Sequence, residues 1–169
     1  MTPKSVCRLA VGSLVLAALL SACTITVRPR GVGTAEYPLS YVIEEFRPTR
    51  GAGATYRVGE NIDFMIVTSQ PGYVTLSAID PDGSIYVFAR NLRVERGVNY
   101  LPRASDRVVY SAGAPRGLHY VRASFTSGRT DATVTYRGRR GGSEWNSAIN
   151  LEIRGFPVRD VAETTLYIR

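Results

Sequence analysis

The sequence predicts an all-β domain, an antiparallel β-sandwich of about 8–9 strands. Three observations carry this. Short runs rich in β-branched and aromatic residues alternate with Gly, Pro, Asp and Asn. No stretch of 11 or more residues keeps a clean 3.6-residue apolar period. No helical crossovers of the kind that parallel βαβ units need are visible, which favours a sandwich of immunoglobulin-like type.

The expected strands run in order along the chain. Tyr37 to Phe46 places Leu39, Tyr41 and Ile43 on one face. Asn61 to Thr68 does the same for Ile62, Phe64 and Ile66, and Tyr73 to Ile79 turns Val74, Leu76 and Ala78 inward. Ile85 to Ala89, Arg107 to Tyr110 and Leu118 to Phe125 follow, the last with His119, Val121, Ala123 and Phe125 on one face. Ala132 to Tyr136, Ala148 to Ile153 (Ile149, Leu151 and Ile153 together) and Thr164 to Ile168 complete the set. Asp80-Pro81-Asp82-Gly83 reads as the turn of a hairpin. Pro81 presets the first central φ and Gly83 takes a positive one, giving a type I turn with a bulge.

Ahead of this body lies a leader. Lys4 and Arg8 precede an apolar run from Leu9 to Leu20 that is short for a ~30 Å hydrocarbon core. Residues 1–22 therefore read as a signal peptide. Leu20-Ser21-Ala22-Cys23 resembles the bacterial lipobox, which implies diacylglycerol on the Cys23 sulfur, cleavage before it and acylation of the new N-terminus. Such multiple acylation anchors a protein stably. Thr24, where an inner-membrane retention signal would carry Asp, leans the expectation towards the outer membrane, on its periplasmic or surface face. Residues 23–36 form the lipidated Cys and a tether spanning roughly 20 Å as a coil, and residues 37–169 the sandwich domain.

Composition narrows the chemistry. The chain has 169 residues, two Cys, one His and a formal charge of +7. Cys7 leaves with the leader, so neither a disulfide nor a multi-thiolate metal site remains. The single lysine, Lys4, also lies in the leader, which excludes Schiff-base, Ser-Lys and P-loop chemistry from the body. Arg supplies the excess basic charge and suits carboxylate or phosphate partners.

Three stretches resemble the bacterial domain-of-unknown-function family 4384. They are Tyr56-Arg57-Val58-Gly59-Glu60-Asn61-Ile62-Asp63-Phe64, then Gly72-Tyr73-Val74 through Asp80-Pro81-Asp82-Gly83-Ser84-Ile85, and the pair Val98 to Pro102 with Gly113-Ala114-Pro115-Arg116-Gly117. The resemblance covers roughly residues 38–126. It implies an envelope or secreted β-sandwich module without assigned catalytic residues, and its motif residues read as structural.

Five features are weighed for function. Asp80 and Asp82 resemble the start of a cation loop but lack the further ligands of one, so a plain turn competes with a metal site. Arg137, Arg139 and Arg140 on a Gly-rich stretch read either as a solvated loop or as a grip on an anionic envelope polymer. His119 is the one candidate imidazole ligand, as in a copper superoxide-dismutase-like antioxidant site, though such a site needs several His. Trp145, placed in a loop, and some of the ten Tyr offer an aromatic contact patch. Glu44 and Glu45 point to opposite faces of a strand and make poor acid–base partners. The resulting expectation is a lipid-anchored, non-catalytic binding module with no cofactor beyond its lipid. Its partner is an envelope or surface-layer protein or an anionic polymer rather than nucleic acid. A metal-dependent surface enzyme using His119 is the alternative.

Overall fold

The computed structural model describes residues 38–131 and 144–169. Among these, eight strands form: β1 (Ile43–Pro48), β2 (Ala54–Tyr56), β3 (Phe64–Thr68), β4 (Gly72–Ile79), β5 (Ile85–Val94), β6 (Gly97–Leu101), β7 (Gly117–Thr126) and β8 (Arg159–Ile168). One α-helix, α1 (Glu144–Ile153), precedes β8. The strands make a three-stranded sheet, β1-β3-β6, and a five-stranded sheet, β2-β8-β7-β4-β5. The described pairings are antiparallel except β2 with β8, which is parallel. The chain folds as the all-β sandwich its sequence predicts.

The core lies between the sheets and is built by strand alternation. Val74, Leu76 and Ala78 on β4, Val121, Ala123 and Phe125 on β7, and Leu166 and Ile168 on β8 face Phe46, Phe64, Ile66 and Leu101 of the smaller sheet. Phe46 and Phe64 stack with ring centroids 5.5 Å apart. Full burial of each such side chain is worth ~1.5–3 kcal/mol. Gly72 opens β4 beneath the Phe125 ring, where a Cβ would collide with it.

The second face of the larger sheet is also covered. Along β4, Thr75, Ser77 and Ile79 point away from the core yet are 0–6% exposed, because α1 lies over them. This corrects the expectation of a strand over Ala148 to Ile153. Trp145, Ile149 and Ile153 recur every four residues and form one buried helical face, while Leu151 points to solvent at 48% exposure. The Ile149, Leu151, Ile153 alternation is therefore incidental.

Two other expectations shift. The first strand starts at Ile43, since Tyr41 takes φ +52° and is exposed, which breaks the Leu39, Tyr41, Ile43 face and turns Val42 inward. Arg107 to Tyr110 is not a strand. A 3₁₀ turn over Ala104–Asp106 precedes it, Arg107 sits at φ +52°, and pairing resumes only as a bridge between Asn61 and Ser111. The short β2 and the edge strand β6 have no counterpart among the expected strands, and Ala132 to Tyr136 lies outside the described residues.

Candidate functional site

The hairpin joining β4 to β5 sets one end of the sandwich. Gly83 N–H donates to Asp80 O at 2.9 Å, Asp80 N–H to Ser84 O at 2.9 Å, and Gly83 has φ +89°. This is the type I turn with a bulge that the residues call for. Asp82 Oδ1 accepts from Ser84 N–H at 2.8 Å, so that carboxylate serves the turn.

Asp80 points the other way, to His119. Strand alternation puts His119 on the inner face of β7, 4% exposed. Its Nδ1 lies 2.9 Å from Asp80 Oδ1 and its Nε2 2.9 Å from Pro115 O. Both partners are acceptors, so the imidazole bridges the β4–β5 turn and the loop entering β7. As a metal ligand it would have to release one of them. Among the described residues no three His, Cys, Asp or Glu side chains gather as a metal-holding group. The Asp80 carboxylate also stands beside the Tyr86 phenol. Burial first, then the Asp80 charge, push the Tyr86 hydroxyl well above its ordinary ionisation range.

This polar bracket borders a cavity of about 300 Å³ at the same end of the core. Its walls include Phe64, Phe88, Tyr86, Tyr110, His119 and Ile168. Phe88 and Tyr110 meet edge to face at 5.2 Å. The Tyr110 hydroxyl is buried and has no hydrogen-bond partner. Burial, then the nearby Asp106 carboxylate, raises it to about 12. Asp106 is itself held below the usual carboxylate range, chiefly by the Arg103 side chain hydrogen-bonded to it at 2.9 Å.

A different surface lies on the outside of the three-stranded sheet. Register aligns Arg47, Met65 and Tyr100 in one row and Glu45, Val67 and Val98 in the next. Val98 is 58% and Tyr100 59% exposed, beside half-buried Val67, and the Arg47–Glu45 ion pair flanks them. No described element covers this face, in contrast to the α1-covered sheet opposite.

Trp145 is not a surface aromatic. It sits on α1 at 4% exposure, its Nε1–H donates to Ser77 Oγ at 3.0 Å, and the Arg122 guanidinium lies 3.7 Å over its ring. Arg122 also donates to Glu163 at 2.8 Å and Asn146 at 2.6 Å. Beside this, the side chain of buried Glu152 accepts from Arg90 at 2.8 Å, Thr75 at 2.9 Å and Thr130 at 3.2 Å. The sequence reading missed this buried polar layer. The polar residues on the alternate faces of β4 and β7 were its one visible signal, and they read equally well as solvent-facing. Cys23 and Arg137, Arg139 and Arg140 lie outside the described residues.

Residues 55–129 match the model of a family described as a domain of unknown function, DUF4384. The chain is similar to that family over this segment. That segment takes in β3 to β7 and the last two residues of β2, and with them Asp80, His119 and most of the cavity wall, while β1, α1 and β8 lie outside it. No curated protein and no solved structure matches the chain.

Proposed function

We propose that the protein is a non-catalytic binding module, held at the cell envelope by lipid on Cys23 and docked through its sandwich onto an outer-membrane or surface-layer protein. The observation that carries this reading is the uncovered outer face of the three-stranded sheet. Val98 and Tyr100 stand exposed there beside half-buried Val67, over buried Met65, and are rimmed by the Arg47–Glu45 pair. An apolar centre with a polar rim is the composition of a protein contact surface. The two groups that could begin an active centre, His119 and Asp80, are tied to each other and to Pro115 in a structural bracket.

The test is co-purification from mild-detergent envelope extracts with a tagged full chain, compared with a Val98→Lys/Tyr100→Lys variant. Both positions are solvent-facing, so the variant keeps its circular dichroism and thermal midpoint. A stoichiometric envelope protein should follow the wild type and be lost from the variant. A protein that runs alone and monomeric from each gentle extraction overturns the docking reading. Cys23→Ser should release the chain from the membrane fraction, and its retention there would overturn the anchor.

A further inference from the structure

The cavity beside His119 is separate from the docking face, since its walls are the inward side chains of both sheets and the segment from Val109 to Ala114. At about 300 Å³ it has roughly twice the ~150 Å³ volume known to admit benzene into an apolar protein cavity. Val109, 63% exposed, and Tyr86, 40% exposed, stand both in its wall and at the surface, so it has a route to solvent. Four aromatic rings, from Phe64, Tyr86, Phe88 and Tyr110, are among its walls. Such walls favour offset and edge-to-face contacts with another ring. The charge in its surroundings is already committed, with His119 bonded to Asp80 and to Pro115 O. An entering ion would lose its hydration without a dedicated counter-charge. The Tyr110 ring lines the cavity, while its buried hydroxyl stands on the side of Asp106 and Arg103, which are not part of the wall.

We propose that this cavity binds a neutral, flat aromatic molecule of about two fused rings. The aromatic walls select the ring, the volume sets its size, and the committed charges exclude ions.

The experiment titrates the full chain with 2-naphthol, naphthalene and 2-naphthoate, read by NMR at the Ala78 methyl and the His119 ring. These residue-specific shifts separate cavity binding from uptake by detergent. Saturable shifts are expected with 2-naphthol and naphthalene, and about tenfold weaker ones with the 2-naphthoate anion. Ala78→Leu fills the cavity from β4 and should weaken both neutral probes about tenfold or more. Val121→Ile is the second variant: it adds a methylene on the β7 wall and should weaken both neutral probes about threefold or more. Absence of a saturable shift with 2-naphthol overturns the proposal. So does 2-naphthoate binding equal to that of 2-naphthol, or undiminished binding to both blocked variants.

Discussion

Replacing Trp145 by alanine removes the largest side chain holding α1 to the five-stranded sheet. The indole is 4% exposed, donates to Ser77 at 3.0 Å and lies under Arg122 at 3.7 Å. Truncating a buried Trp to Ala costs about 3–5 kcal/mol. Loss of the cation–π contact adds ~1 kcal/mol. Ser77, 0% exposed, is left with a buried hydroxyl short of its donor, which adds ~1 kcal/mol more. The total is of order 5 kcal/mol, comparable to the lower end of a domain's whole stability of about 5–15 kcal/mol. Trp145→Phe keeps a ring under Arg122 but forfeits the Nε1–H bond, and should lose about 1–2 kcal/mol. Urea unfolding followed by far-UV circular dichroism measures all three proteins on one signal. Trp145 is the chain's single tryptophan, so its fluorescence in the wild type reports α1 alone. It should be blue-shifted and shielded from iodide until α1 leaves the sheet. An alanine variant within about 1 kcal/mol of wild type, or a native indole quenched as readily as free tryptophan, would refute the docked helix.

Two further outcomes follow from buried polar groups. Glu152→Ala should destabilise by about 2–3 kcal/mol, below the ~3–5 kcal/mol of a fully buried broken pair because the Arg90 side chain keeps 28% exposure. Glu152→Gln, which retains acceptors for Thr75 and Thr130, should cost less, and equal losses in urea titrations of the two variants would contradict the network. Tyr110→Phe should raise stability by about 1 kcal/mol at neutral pH, because it removes a buried hydroxyl without a partner. Its pH dependence has a definite sign. The phenol ionises near 10.0 when unfolded and near 12 when folded, so its contribution is intact below pH 10 and is lost as pH rises towards 12. Urea midpoints at pH 8 and 11 should therefore fall less for Tyr110→Phe than for wild type.

The legible parts of the fold were those set by neighbours along the chain. β3, β4, the first half of β5, β7 and the end of β8 are legible in short β-prone runs, and the β4–β5 turn in Pro81 and Gly83. α1 was read as a strand because Ile149 and Ile153 satisfy a period of two as well as a helical one. Trp145, four residues before Ile149, decides between them. The candidate site was legible residue by residue but not as a constellation. Asp80 and His119 each stood out, yet their contact joins positions 39 apart and depends on the sheet register. The cavity depends on where the Val109 to Ala114 segment crosses the end of the sandwich, which no local pattern specifies. Thr75, Ser77 and Arg122 read as a solvated face because a single sequence does not say which sheet face a helix will cover.

The approach to β1 has a mechanical consequence. Ser40 N–H donates to Arg159 O and Ile43 N–H to Asp160 Oδ2, each at 2.8 Å, so residues 40 to 43 are fastened to the start of β8 before β1 joins its own sheet. Tension arriving at residue 40 from the N-terminal side is thus handed to β8, which is paired along its length with β7 in the larger sheet. The load meets the five-stranded sheet at Ser40 before it reaches the three-stranded sheet, which the same segment joins at Val42, whose carbonyl accepts from Ser69 N–H at 3.0 Å.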